Sequence, residues 1–448
     1  MAEISKREAL GRPELEALVE LALEEARRLG VDQAEVAASQ DTGLSATARL
    51  GDIENLEFTN DRGIGITVYK NSCKGNASTS DITPGAIREA VAKACSFAKL
   101  TASDPYSGLA DADRMATDPI DLDLDHPWDL DVNEAIALAI RSEQAAMSHD
   151  KRISNSEGGT VSTHRSSRAY GNTHGFIGSH TRTSHSITCV VLAEANGAME
   201  RDYHFTSSRV PDNLEDAASV GIRAAEKTLE RLNARKIKTT TAPVLFVPEL
   251  ARSFIGHAIG AISGGAQYRR SSFLLDAIGD QVFPEWLDVQ ERPHIPQGMA
   301  SRAYDSEGVA TYDREVFKDG VLQGYLLSSY SARRLGLQTT ANAGGAQNLI
   351  VPGRDIDLAG LTREMGTGFI VEELIGQGVN PVTGDYSRGA VGHWVENGEI
   401  QHAVHEVTIA GNLKDLYQRI AAIGNDQDLR SSLLVGSLLV EEMTIAGA

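Results

Sequence analysis

A run of aspartate and proline divides this chain. Eight Asp residues fall between positions 111 and 131, and Pro105, Pro119 and Pro127 interrupt the segment 101–131 around them. Like charges repel along a regular element and each proline removes a backbone donor, so neither a helix nor a strand runs through it. It reads as a solvated linker. Asp121, Asp123 and Asp125 have the alternate spacing of a calcium loop, but an EF-hand needs Gly sixth and a closing Glu, and position six here is His126. The remainder of the 448 residues, at roughly 150 per domain, is long enough for globular units on both sides.

Before the linker, Pro13 opens a helix whose Leu15, Leu18, Val19, Ala22, Ala26 and Leu29 recur at helical spacing, and Gly30 stops it. Short strand-like runs follow over 34–79, the clearest being the alternating Ile64-Gly-Ile66-Thr-Val68, and then a helix over 84–99. After the linker the order repeats loosely: a helix over 132–147, Gly-dotted strands over 152–208 and a long helix over 212–234. Two helix–strands–helix blocks suggest two related layers, without a residue-level repeat. From Thr239 a third region opens with a buried strand, Val244–Val247. Pro248 and Glu249 start a helix with Leu250, Phe254, Ile255, Ala258, Ile259 and Ile262 on its apolar side. Gly-rich short strands then run to the end, with one helix near Ser328–Leu335. The expected class is an α/β N-terminal half followed by a mostly β C-terminal domain. Its divisions are an N-terminal α/β domain over 13–105, an acidic linker over 106–131, a central α/β domain over 132–237 and a C-terminal domain over 238–448.

Charge and cysteine usage bound the setting. Lys plus Arg is 42 against 62 for Asp plus Glu, a net charge of −20, which repels a phosphate backbone and disfavours direct nucleic-acid contact. Three cysteines, Cys73, Cys95 and Cys189, make no disulfide framework and point to a reducing compartment. The start, Met1-Ala-Glu-Ile-Ser-Lys-Arg-Glu, lacks an apolar leader. The most apolar late segment, Ser431–Val440, is far short of the ~20 residues of a membrane span. The expectation is a cytoplasmic protein with no membrane contact.

Several catalytic engines are missing. The chain has no Gly-Lys dipeptide for a phosphate-binding loop, no G-x-S-x-G elbow, no G-x-G-x-x-G and no C-x-x-C. His402 and His405 on one strand, like His180 and His185 on another, have odd spacings that put them on opposite faces, so neither pair shares an ion.

Four strings carry a signature. They are Phe254-Ile-Gly-His-Ala-Ile-Gly-Ala261; Tyr304-Asp-Ser-Glu-Gly-Val309 with Asp319-Gly-Val-Leu322; Asn380-Pro-Val-Thr-Gly-Asp-Tyr-Ser-Arg-Gly389 with Glu396-Asn-Gly-Glu399; and Asp61-Arg-Gly-Ile-Gly-Ile-Thr-Val68. Together, and over about residues 15–445, they resemble the TldD/PmbA family, once described as modulators of DNA gyrase, and within it the PmbA (TldE) branch. The resemblance implies a peptidase fold. In its TldD kind a helix carries H-E-x-x-x-H, two imidazoles holding zinc and a Glu acting as general base, with a further ligand from the C-terminal domain. This chain keeps the motif's Ala258-Ile259-Gly260 centre. The first His becomes Gly256, the Glu becomes His257 and the second His becomes Ala261, and no cysteine lies beyond residue 189. No catalytic residue and no metal are expected in this chain.

On that helix Ser253, Gly256, His257, Gly260 and Ala261 share one side. Either the backbone packs closely against another element there, or the side walls a substrate channel or a partner's active site. Asp305 and Glu307 read as turn-building groups of the shared scaffold rather than an acid–base pair. His257, Asn380, Thr383 and Ser387 are the substrate-channel candidates. The implied function is the non-zinc subunit of a TldD–PmbA heterodimeric metallopeptidase that degrades or matures unfolded peptides. Its partner would be a zinc-bearing TldD-type paralogue, with a homodimer when alone. Two alternatives stay open, a hydrolase in its own right and a regulatory module acting on gyrase.

Overall fold

The computed structural model describes residues 10–447; the charged start Met1–Glu8, on which the expectation about a leader rests, lies outside them. Helix α1 (Arg12–Arg28) takes Pro13 in its first turn and buries Leu15, Val19, Ala22, Leu23 and Ala26. Strands β1 (Gln33–Arg49), β2 (Asp52–Lys70) and β3 (Cys73–Thr79) follow, then α2 (Pro84–Ala98), whose first turn is capped by the Thr83 hydroxyl. The linker holds a single short 3-10 turn, Ala112–Arg114. A capping box of Asp131 and Glu134 starts α3 (Val132–His149). Then come β4 (Ile153–Asn172), β5 (Ile177–Ala195), β6 (Ala198–Ser208) and α4 (Ala217–Glu230).

These six strands form one antiparallel sheet in the order β3-β2-β1-β4-β5-β6. The two helix–strands–helix blocks are therefore fused rather than stacked as layers: β1 pairs with β4 from Glu35↔Asn172 to Ala48↔Gly159. That register puts Ala38 and Ala169, and Ala46 and Val161, on one face. Both helix pairs cover that face. Helices α1 and α2 close over Ile64, Ile66, Val68 and Ala169, while α3 and α4 close over Val161, Ile187, Cys189 and Val191.

The C-terminal region runs β7 (Thr240–Phe246), α5 (Pro248–Ala261), α6 (Gly264–Tyr268), β8 (Val289–Glu291), β9 (Arg314–Lys318), β10 (Val321–Leu322), α7 (Ser329–Leu335), β11 (Leu349–Ile350), α8 (Leu358–Met365), β12 (Gly368–Ile375), β13 (Asp385–Glu396), β14 (Glu399–Asn412), α9 (Leu413–Gln418), β15 (Ile420–Ile423), β16 (Leu433–Leu434) and β17 (Leu438–Ala446). Its main sheet has the order β14-β13-β12-β7-β17-β15, and β14 also pairs with β17, which closes five strands into a ring. The molecule is thus α/β in its first half and strand-rich in its second.

The structure corrects several sequence expectations. The strands over 34–79 are long, not short. The outer half of β2, Asp52–Asp61, is exposed almost throughout, so it has no alternation to read. Helix α4 is shorter than 212–234, because Pro211–Asn213 forms a separate 3-10 turn and Asp216 caps the helix at Ala218. Three helices besides α7 follow α5: α6 and α9 are too short to show a period, and α8 is capped by Asp357 onto Gly360. The strand of His402 and His405 is bulged. Ala390 pairs with Val407 and Gly392 with Val404, which leaves His405 and Glu406 together against Val391. Among the described residues, no three His, Cys, Asp or Glu side chains group as a metal site, and no helix is long and apolar enough to cross a membrane.

Candidate functional site

Helix α5 leaves β7 through Val247 and begins at Pro248, whose missing N–H is no loss in a first turn. Its back is anchored by an aromatic cluster. Phe254 stacks on Phe246 with ring centroids 5.0 Å apart and meets Tyr417 edge-on at 5.2 Å. The Tyr417 hydroxyl donates to the Phe254 carbonyl at 2.9 Å. Ile255, Ala258 and Ala261 are buried on the same back.

The front is different. A methyl group placed on Gly256 or Gly260 would meet nothing within 4 Å, so among the described residues no element packs closely there. Ala261, expected on this side, belongs to the buried back instead. Beside the open strip, His257 stands edge-on to Tyr386 of β13, ring centroids 6.1 Å apart. Three buried polar atoms meet here without a hydrogen-bond partner: His257 Nε2, Tyr386 Oη and Arg388 Nε. Tyr386 is 1% exposed. A buried polar atom left unpaired costs roughly 1–3 kcal/mol, so their coincidence singles out this place among the described residues. Burial, then the Arg388 guanidinium, pushes the His257 imidazole below its ordinary range; burial drives the Tyr386 hydroxyl far upward. At neutral pH the half-buried His257 and Arg388 thus present a neutral imidazole and a guanidinium, both able to hydrogen-bond a carbonyl-rich ligand, with the Tyr386 phenol buried beside them.

The other candidates are less available. Asn380 Oδ1 accepts from the Val382 and Thr383 amides at 2.9 and 3.3 Å, and Thr383 Oγ1 donates to Asp385 at 2.6 Å. Both side chains build the turn into β13. Ser387 is exposed and points to the opposite face of β13 from Tyr386 and Arg388, while its amide donates to the Gly378 carbonyl at 2.7 Å. Sequence reasoning missed Tyr386 and Arg388, although both lie within the quoted Asn380–Gly389 string and share a face at a spacing of two. Asp305 accepts from the Glu307, Val309 and Ala343 amides at 2.9–3.0 Å, and Glu307 accepts from the Ser329 amide. They hold loops together. Burial and then Glu307 push Asp305 up to about 6.

Models of the PmbA/TldA metallopeptidase domain 1, central domain and C-terminal domain match residues 34–98, 125–232 and 239–447. The metalloprotease PmbA of Escherichia coli O157:H7 is 49% identical over 447 residues, covering 100% of this chain and 99% of that protein. This chain belongs to the PmbA/TldD metallopeptidase family. A PmbA homologue of Haemophilus influenzae is 48% identical, over 97% of this chain and 96% of its own. Among solved structures, a Bacteroides thetaiotaomicron protein described as a candidate modulator of DNA gyrase superposes with a TM-score of 0.92 at 26% identity, covering 96% of this chain and 98% of its own. TldE from Thermococcus kodakarensis, with a TM-score of 0.82 at 19% identity over 96% of this chain and 100% of that one, shares the fold.

Family membership raises the question of zinc, and the α5 donor set does not fit it. A catalytic zinc takes three protein ligands and keeps one open position. Gly256 and Ala261 carry no donor, His257 stands where the general base would be, and its charged neighbour is the cationic Arg388, which repels a dication.

Proposed function

We propose that this chain is the non-zinc subunit of a heterodimeric peptidase that acts on unfolded peptides, paired with a zinc-bearing TldD-type paralogue in the cytoplasm. The observation that carries this reading is the front of α5: the three zinc-motif positions read Gly256, His257 and Ala261, yet the surface over Gly256 and Gly260 is open, with partnerless polar atoms buried beside it. A helix retained without its donors but left uncovered suits a channel wall facing the partner's zinc. There His257 and Arg388, both half-buried, would hydrogen-bond the carbonyls of a peptide held as an extended strand, with Tyr386 packed behind them. Such main-chain recognition tolerates many sequences, as degradation of unfolded chains requires. This chain would hold no metal itself and would pair with itself when its partner is absent. Its charge of −20 disfavours an alternative role on DNA.

The test is elemental analysis for zinc together with native mass spectrometry of the purified chain, alone and mixed with the paralogue. Expected are far less than one zinc per chain alone, and a one-to-one complex carrying a single zinc. One tightly held zinc per isolated chain, with chelator-sensitive peptide cleavage, would replace this reading with that of a self-sufficient hydrolase.

A further inference from the structure

A second site shares no residue with the α5 front. A cavity of about 440 Å³ opens between the start of α1, the acidic linker, the edge of β5 and the loop before Asp305. It exists because β6 pairs with β5 only from His185 to Ala195, which leaves the first part of β5 uncovered. Tyr304 folds over that edge. Its ring packs edge-on to Phe176 at 5.1 Å and to His180 at 6.1 Å, and it lies against Gly178, where a Cβ would come within 2.9 Å of it.

The lining sets Arg12, Arg165 and Arg302 against Asp121, Asp123 and Asp125, with Glu16 reached through Ser179; what it offers an anion is guanidiniums left without a carboxylate. Arg12 and Arg302 line it beside His180 and Tyr304. Arg168 lies directly across the ladder from His180, and Arg182 follows two residues on. Arg168 is paired with Asp41 at 2.9 Å. Among the described residues, Arg12, Arg182 and Arg302 have no carboxylate within salt-bridge distance; Arg12 donates to Ser179 Oγ at 2.9 Å and Arg302 to Ser306 Oγ at 3.4 Å. The linker carboxylates on the rim already have partners. Asp125 binds Arg165 through both oxygens at 2.7–2.8 Å, Asp123 meets His126 and Gln297, and Asp121 accepts from the Asp123 amide. Among the described residues the Tyr304 hydroxyl is buried with no partner, on a residue only 8% exposed. Burial, then the guanidiniums of Arg182, Arg302, Arg168 and Arg12, pushes His180 down to about 4, so its imidazole is neutral at pH 7.

Clustered guanidiniums repel one another, and a buried hydroxyl without a partner is unfavourable; one anion would relieve both. We propose that this cavity binds a small ligand through an oxyanion group, carboxylate or phosphate, held by the Arg12 and Arg302 guanidiniums and the Tyr304 hydroxyl. Arg182 and Arg168 supply supporting positive potential, and His180 contributes a neutral hydrogen bond.

Calorimetric titration and thermal-shift measurements on the full chain would use two probes: inorganic phosphate, and N-acetyl-triglycine compared with its C-terminal amide. Saturable binding of phosphate or of the free-acid peptide is expected, and which one saturates identifies the source of the oxyanion. Arg302→Gln should weaken that binding about tenfold or more, as loss of a charge-assisted hydrogen bond implies. Tyr304→Phe keeps the ring packing and guards against a folding artefact: it should leave the ligand-free Tm equal or higher while lowering affinity several-fold. Imidazole NMR should show the His180 pKa rising when the site fills. Failure of both probes to saturate, equal binding of the peptide amide, or undiminished binding by both variants would each overturn the proposal.

Discussion

The two sides of helix α5 obey different rules. Its back is set by volume: Phe254 sits among Phe246, Tyr386 and Tyr417, and Ile255 and Ala258 are fully buried. Among the described residues, its front carries two glycines with nothing within 4 Å of an added Cβ and an imidazole whose Nε2 is unpaired. Packing explains the back completely and the front not at all. A surface that stability does not require, on a helix that stability holds rigidly in place, is what a binding wall needs. The same contrast separates Asp305, whose carboxylate is satisfied by three backbone amides, from Tyr304 next to it, whose hydroxyl is satisfied by none.

Substitutions on each side should show the difference. The largest effect is expected from Phe254→Ala, which opens a cavity in the aromatic cluster and should cost about 3–5 kcal/mol in denaturant unfolding. A loss below ~1 kcal/mol would mean that the back is not the anchor. Tyr386→Phe keeps the ring and deletes an unpaired hydroxyl, so the isolated chain should be unchanged or more stable by about 1 kcal/mol. Gly260→Ala should raise stability slightly, by about 0.5–1 kcal/mol, because alanine is the better helix former and the space is empty. Destabilisation there would reveal a close neighbour and erase the contrast.

The smallest effect is on pH dependence. His257 has a lowered folded pKa, so below its ordinary 6.5 the unfolded chain binds the extra proton and stability falls with falling pH. Asp305 runs the other way. Its folded value of about 6 lies above the ordinary 3.8, so between those values the folded chain binds more protons and stability rises as pH falls. Unfolding free energies of His257→Gln from pH 7 to 5 should decline less steeply than those of the parent; an identical slope would contradict the burial of that imidazole.

What the sequence revealed follows from what has a period. Ile64, Ile66 and Val68 alternate and are buried in β2 as expected, and the apolar stripe of α5 faces the core. The outer half of β2 is wet on both faces, and helices of five to eight residues leave no stripe to detect. The fusion of both N-terminal blocks into one sheet rests on β1–β4 pairing between residues over a hundred positions apart, which no local pattern encodes. At the site, His257 was legible because it stands inside a degenerate zinc motif. Tyr386 and Arg388 were hidden by neighbours: the same string holds Asn380 and Thr383, whose polar side chains close a turn. Recognising that a strand starts at Asp385 would have separated the turn from the inward-facing pair.

The central claim is tested most directly by titrating this chain into a fixed amount of its zinc-bearing paralogue and measuring turnover of an unfolded peptide, with a chelator control. No turnover by this chain alone is expected. In the mixture, turnover should rise to saturation at one chain per paralogue and vanish with chelator, and His257→Ala should weaken peptide binding without loss of the complex. Full turnover by the paralogue without this chain, or chelator-sensitive turnover by this chain on its own, would contradict it.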